Sequence, residues 1–373
     1  MDQNNSLKNF SYVGIGRVVS TVLQAIFYLL FAALLEPESY GYLNFIISLA
    51  ATFSIISGLG LHHTLTIYNS KKSTNQSIQV KTLSLITTSI AALILLPINE
   101  FASLLSFAAS IFLLNQFELL GFKQYRKFMI ITILRGCLIV ILPILFYFFL
   151  QVPGIVLGLA IGSLITSIPY LKGLRLTSFF DLKKESKVII HNFGVEASVS
   201  LPRVIDKLFI PSLFGFFILG VYQLNLQILF AVEVLPVALH GFLLSEESSR
   251  QRHKKLIYLA IIGSIIIVII GIVLAPFFIN EFFPKYSTGI SSLQILLISL
   301  IPLTISSILT AKLQSIESTK IGFSAIVRIG SLLVLIFILG GLFELIGLSL
   351  AFLLSIMINT VFLYYLYRQT KLS

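Results

Sequence analysis

Eight charged side chains fall inside long apolar stretches of this sequence: Arg17, Arg135, Arg203, Lys207 and Arg328 are basic, and Glu196, Asp206 and Glu233 are acidic. A charged group at the centre of a hydrocarbon layer costs about 2.5–3.5 kcal/mol on the insertion scale, so eight of them unpaired would cost roughly 20–28 kcal/mol. They must therefore pair, line a wet cavity, or reach a nearby interface. Their spacing favours shared faces. Arg17, Ser20, Thr21, Gln24 and Tyr28 recur at helical intervals, which puts a polar stripe along one side of a helix. Tyr222, Asn225, Glu233, Pro236 and His240 form a second stripe, and Glu196 and Arg203 stand seven apart with Asp206 and Lys207 one turn further on. A polar stripe through a membrane helix implies water or a ligand beside it. Asp206, Glu233 and Glu196 are the candidates for coupling to a proton or cation.

Each group also has a plainer reading. Arg17, Arg135 and Arg328 lie some seven or eight residues from one helix end, about 10–12 Å at 1.5 Å per residue, within reach of lipid headgroups. Arg203, Asp206 and Lys207 could neutralise one another at helical spacing. Glu233 could be a hydrogen-bonded structural carboxyl. His62 and His63 read as interfacial, and His191, His240 and His253 complete no metal spacing with carboxylates, so no metal ligand set is expected. Cys137, the single cysteine, sits in an apolar run and offers neither a disulfide nor a thiolate cluster.

The elements that must position these residues follow from composition. The 373 residues are 57% apolar and 11% charged, with a mean hydropathy of +0.99. Soluble chains carry about a quarter charged residues. Runs of about twenty apolar residues read as membrane helices: roughly 10–34, 42–67, 80–98, 100–119, 128–150 and 153–171, then 189–211, 214–244, 256–279, 291–311, 321–343 and 346–366. Twenty of the 26 basic residues then fall in segments on one side and only Lys285 in a loop on the other, which makes the first side cytoplasmic and places both termini there. The net charge of +11 is thus a topology signal and a contact for anionic membrane lipids, not a nucleic-acid surface. The outer loops are too short for a catalytic domain, and no G-x-x-x-x-G-K-[ST], H-E-x-x-H or G-x-S-x-G sequence occurs. No cofactor and no enzymatic activity are expected. Glycine pairs such as Gly14 with Gly16 and Gly154 with Gly158 read as close helix packing.

The basic segment from Lys172 to Lys187 divides the chain into halves of six spans, 1–178 and 179–373. Leu35-Glu36-Pro37-Glu38-Ser39-Tyr40-Gly41 and Phe214-Gly215-Phe216-Phe217-Ile218-Leu219-Gly220 match at an offset of 179 residues. An even number of spans per half gives both copies one orientation, a parallel repeat about an axis along the membrane normal. The expected fold is an all-α integral membrane protein of about twelve helices in two six-helix bundles facing a central cavity.

Leu35-Glu36-Pro37-Glu38-Ser39-Tyr40-Gly41-Tyr42 resembles the Leu-Gly-Pro-x-x-Tyr-Gly-x signature of polysaccharide flippases of the multidrug, oligosaccharidyl-lipid and polysaccharide exporter (MOP) superfamily, with Glu36 in place of a small residue. Asp206 to Ile210, with Phe214-Gly215 and Leu219 to Tyr222, is similar to their seventh-to-eighth helix junction, departing at Pro211 and Phe216-Phe217. The resemblance implies a flippase for a polyprenyl-pyrophosphate-linked oligosaccharide in the cytoplasmic membrane, working by alternating access in cell-surface polysaccharide synthesis, with a glycan polymerase or glycosyltransferases as partners. Arg17, Arg135, Arg203, Lys207 and Arg328 would meet the pyrophosphate, and Gln24, Tyr28, Tyr222 and Asn225 the sugars. Two alternatives stay open. A cation-coupled multidrug exporter of the same superfamily would call for an acidic cavity, and a membrane-embedded polymerase for a large outer loop.

The topology has a direct test. Cysteines placed at Lys71, Lys184 and Lys255 should be shielded from an impermeant thiol reagent in intact cells, while one at Pro284 should label. Labelling of the first three would reverse the orientation.

Overall fold

The computed structural model describes residues 3–168, 186–234, 254–315 and 321–372, together with Pro236 and Leu239. Within them the regular structure is helical. Hydrocarbon offers no partner to a backbone N–H or C=O, so a spanning chain satisfies them inside helices. The helices are α1 (Gln3–Leu34), α2 (Pro37–Gly58), α3 (Leu61–Ser70), α4 (Thr74–Leu95), α5 (Glu100–Gly121), α6 (Tyr125–Ser167), α7 (Ser186–Ser200), α8 (Asp206–Val232), α9 (Lys254–Phe282), α10 (Ile290–Ile298), α11 (Leu300–Ser315), α12 (Ile321–Leu335) and α13 (Gly341–Leu372). Short 3-10 turns cover Leu201–Arg203 and Pro284–Gly289, and a π turn covers Ile336–Gly340.

Nine stretches among the described residues are long and apolar enough to cross a membrane. Three of them contain an interior residue outside helical geometry: Gln151 in α6, Gly215 in α8 and Glu344 in α13. Divided at those breaks, the nine stretches accommodate the twelve crossings read from the sequence. α6 is a helical hairpin. Past Gln151 the returning arm lays Gly154 against the Phe146 carbonyl, Gly158 against Leu142 and Pro143, and Gly162 against Leu138. A side chain at any of the three would hold the arms apart, which is the packing read from Gly154-x-x-x-Gly158. α13 likewise folds back at Glu344, with Gly347 against Leu339. Gly16 packs on the Met129 backbone, whereas Gly14 faces open space, so only one of that pair serves packing.

Two further breaks depart from the sequence reading. The span expected over 42–67 ends at Gly58. Leu59 and Gly60 then take positive φ (48° and 64°), and α3 starts as a separate helix with Gly60 against the backbone of Asn192 and Phe193. The span expected over 189–211 is also discontinuous: α7 stops at Ser200, a 3-10 turn intervenes, and α8 begins at Asp206. Pro202 explains it, because its ring blocks the preceding turn and it brings no N–H to the helix ladder.

The chain forms two compact units, residues 1–28 with 45–204 and residues 29–44 with 205–373. In the first, α3 carries Leu61, Leu65 and Tyr68 into a core with Val80, Ile111 and Leu114, and Ile189 of α7 packs against it. In the second, Leu309 and Leu313 of α11 pack on Leu363 and Leu366 of α13. Lipid tails give apolar helices no hydrophobic reason to associate, so close packing and small polar contacts take over. Ser54 on Ser110 at 2.8 Å, between α2 and α5, and Asn115 Nδ2 donating to the Thr166 carbonyl at 3.0 Å, between α5 and α6, are of this kind.

The tightest contact of the second unit joins the two copies of the repeat. Gly41 of α2 lies against the Phe216 carbonyl and the Gly220 amide of α8, and Gly220 lies against the Pro37 carbonyl and the Gly41 amide. At an offset of 179 these are one contact made twice, in opposite directions. The missing Cβ of each glycine points at the other helix's backbone, where a methyl group would overlap a carbonyl oxygen.

Gly41→Ala should therefore lower thermal stability despite alanine's better helix propensity, by about 1–3 kcal/mol as for other overpacked sites. Gly14→Ala should cost nothing. A fluorogenic thiol dye reading exposure of Cys137 during heating in detergent would check both. Equal melting temperatures for Gly41→Ala and wild type would refute the tight crossing.

Candidate functional site

In the first unit the α1 stripe lies beside the first arm of α6. Gly16 on Met129, and Gly136 against Ser20 and Leu23, bring the two helices close enough for Arg135 to reach α1. Arg17, Thr21 and Gln24 are exposed, and Tyr28 is half-buried. Arg135 is half-buried too. Its Nε donates to Ser163 Oγ at 3.0 Å, its guanidinium carbon lies 4.4 Å from the Phe112 ring centroid, and the Tyr28 phenol is within its electrostatic field. Among the described residues no carboxylate pairs with Arg135 or with Arg17. A guanidinium held by a hydroxyl and an aromatic face is oriented but keeps its charge. With five N–H donors in a fixed fork, it retains capacity for a phosphate or carboxylate.

The second unit treats charge the opposite way. Asp206 and Lys207 are 1% and 3% exposed, with Lys207 Nζ 3.2 Å from Asp206 Oδ1. The Asp206 side chain also accepts the Lys207 backbone N–H at 3.0 Å and the Tyr222 hydroxyl at 3.3 Å. An acceptor at the first position of a helix answers the unfilled amides there. Arg328 on α12 is half-buried and acts electrostatically on Tyr222. Asn225 is fully buried, and its amide donates to the Gly289 carbonyl at 2.9 Å and Ser292 Oγ at 3.1 Å. Ser292 in turn meets Ser349, so Asn225 ties α8 to α10 and, through Ser292, to α13. Arg203, the last residue of the 3-10 turn that follows α7 in the first unit, is exposed. Glu233 caps the end of α8. His240 and most of the Lys172–Lys187 segment lie outside the described residues.

Glu36, the departure from the signature, has a partner in Lys285, 2.8 Å away. Tyr40 meets Tyr286 edge-on beside it, with ring centroids 6.1 Å apart.

One grouping escaped the sequence reading. Glu196 Oε2 lies 3.3 Å from His62 Nε2 and 3.4 Å from His63 Nε2. His62 is 2% exposed, so it is a buried residue and not an interfacial one. Ser200 Oγ donates to Glu196 Oε1 at 2.6 Å, and Asn192 Nδ2 donates to Thr64 Oγ1 at 2.9 Å. Asn192, Glu196 and Ser200 follow at intervals of four, a single face of α7. That face was legible. Its docking on α3, more than 120 residues earlier, was not.

No protein-family model and no curated protein matches the sequence. Solved structures do. An inward-facing multidrug resistance MATE family transporter of the MOP superfamily aligns with a TM-score of 0.71 at 16% identity, over 97% of this chain and 98% of that one. A MATE in complex with MaL6 gives 0.65 at 17%, over 97% and 96%. The lipid II flippase MurJ, in an inward closed conformation, gives 0.65 at 15%, over 95% and 87%. At such identities the likeness is one of fold alone: this chain shares the all-helical membrane fold of these structures.

Proposed function

We propose that this protein moves a polyprenyl-pyrophosphate-linked oligosaccharide from the cytoplasmic to the outer leaflet of the cell membrane by alternating access, in the synthesis of a surface polysaccharide. Arg135 carries the reading. A half-buried guanidinium in a membrane helix, oriented by Ser163 and Phe112 with no carboxylate partner among the described residues, is a standing demand for an anion. Arg17 and Gln24 lie exposed on the neighbouring helix and extend the polar surface that a pyrophosphate and its first sugars would follow. Arg203 and Arg328 are the further basic contacts along the path. Tyr28 would supply a ring face to a sugar. The two compact units, 1–28 with 45–204 and 29–44 with 205–373, take the place of the halves 1–178 and 179–373 read from the sequence as the moving bodies of this mechanism, with both termini cytoplasmic, and the glycan polymerase or glycosyltransferases act before and after it.

The solved MATE structures keep multidrug export as the second reading. A cationic drug calls for an unsatisfied acid. Asp206 is taken by Lys207 and Tyr222, and Glu196 by two histidines and Ser200, which favours the anionic substrate.

The test is transport of a lipid-linked oligosaccharide in vesicles containing the purified protein, at matched protein levels. Charge-assisted hydrogen bonds are worth about 1.5–3 kcal/mol, so Arg135→Gln should slow transport roughly ten-fold or more. Arg135→Lys should lie between, because it keeps the charge and loses the fork. Wild-type rates for both Arg135→Gln and Arg17→Gln would defeat the proposal. Asp206→Asn should act differently. By leaving Lys207 buried without its counter-charge it should destabilise the fold by about 3–5 kcal/mol, read in the thermal melt, and Lys207→Met in the same chain should recover much of that loss.

A further inference from the structure

We propose that His62, His63 and Glu196 form a binding site for a first-row divalent cation of the zinc class, which fastens α3 to α7. The proposal is independent of the transport reading. It rests on three features of the cluster.

The first is spacing. Both imidazole Nε2 atoms approach the same carboxylate oxygen, at 3.3 and 3.4 Å, and the three donor atoms lie within 4.8 Å of one another. A histidinium–carboxylate hydrogen bond closes to about 2.7–2.9 Å. Two ligands on a tetrahedral ion with bonds of about 2.0–2.1 Å stand about 3.3–3.4 Å apart. The observed separations match the edge of that tetrahedron. The donor set agrees, since imidazole nitrogen and carboxylate oxygen suit zinc and its neighbours in the first row.

The second is support. Ser200 holds the other carboxylate oxygen at 2.6 Å, which turns Oε2 toward the histidines. Phe117 packs edge-on against both rings, with centroids 4.5 Å from His62 and 5.0 Å from His63. Asn192 bonded to Thr64, and Gly60 pressed on the α7 backbone, fix the two helices around the cluster. Ligands whose orientation is set by a second layer of contacts are a mark of built metal sites.

The third is access. The His63 side chain is 35% exposed while that of His62 is 3% exposed. Three protein ligands leave one tetrahedral position, and the His63 side is where an ion would enter and a water complete the shell.

The experiment uses the full chain, purified in detergent without a polyhistidine tag, stripped with a chelator and titrated with Zn2+ against a chromophoric zinc indicator. One Zn2+ per chain is expected, with Co2+ giving the intense visible absorption of a four-coordinate ion. His63→Gln and Glu196→Gln should each weaken Zn2+ at least ten-fold. His191→Gln, an exposed position on α7 outside the cluster, should leave the affinity unchanged. His63 is half-exposed, so its variant keeps the test valid if Glu196→Gln fails to fold. Stoichiometry below one ion in ten chains, affinity unaltered by His63→Gln, or equal losses with His191→Gln would each overturn the site. In those cases the cluster is a plain histidine–glutamate pair.

Discussion

Hydrocarbon cannot hydrogen-bond to a peptide group, and the architecture of this chain follows from that single constraint. It forces the spanning backbone into helices and makes every interruption costly, so the interruptions sit where another part of the protein takes up the freed groups or where the chain turns back. Gln151 and Glu344 close hairpins whose arms touch through Gly154, Gly158 and Gly347. Pro202 stops α7, and Asp206 then opens α8 with a side chain that accepts a backbone amide. Leu59 and Gly60 break the second span where α7 passes over it.

The same medium sorts the charges. Asp206 and Lys207 are closed off with Tyr222 in the second unit, a neutral assembly that hydrocarbon tolerates. Arg135 is held by a hydroxyl and a ring face in the first unit, a fixed cation with its charge intact.

Much of this was legible in the sequence. Apolar runs gave the crossings, and helical intervals put Arg17, Gln24 and Tyr28 on one face. What stayed hidden was tertiary. The spacing of Arg203, Asp206 and Lys207 suggested one unbroken helical face, but α7 stops at Ser200 and a 3-10 turn precedes the helix that starts at Asp206. Asn225 looked like a polar residue on a ligand-facing stripe, yet its amide is spent on Gly289 and Ser292, because a stripe pattern does not say what faces it. His62 and Glu196 are distant in the chain, and only the kink at Gly60 lets α7 approach closely enough to join them.

The reciprocal glycine crossing limits how freely the two segments can vary. A surface that docks onto a copy of itself is what a two-fold homodimer uses. Gly41 and Gly220 each serve as socket for the other, so neither position can take a side chain unless the opposite backbone moves. The flanks show the contrast within one chain: at the same offset Pro37-Glu38 corresponds to Phe216-Phe217 and Ser39 to Ile218, while the glycine stands in both. Side chains differ where each segment meets other neighbours, and glycine is required where the two segments meet each other.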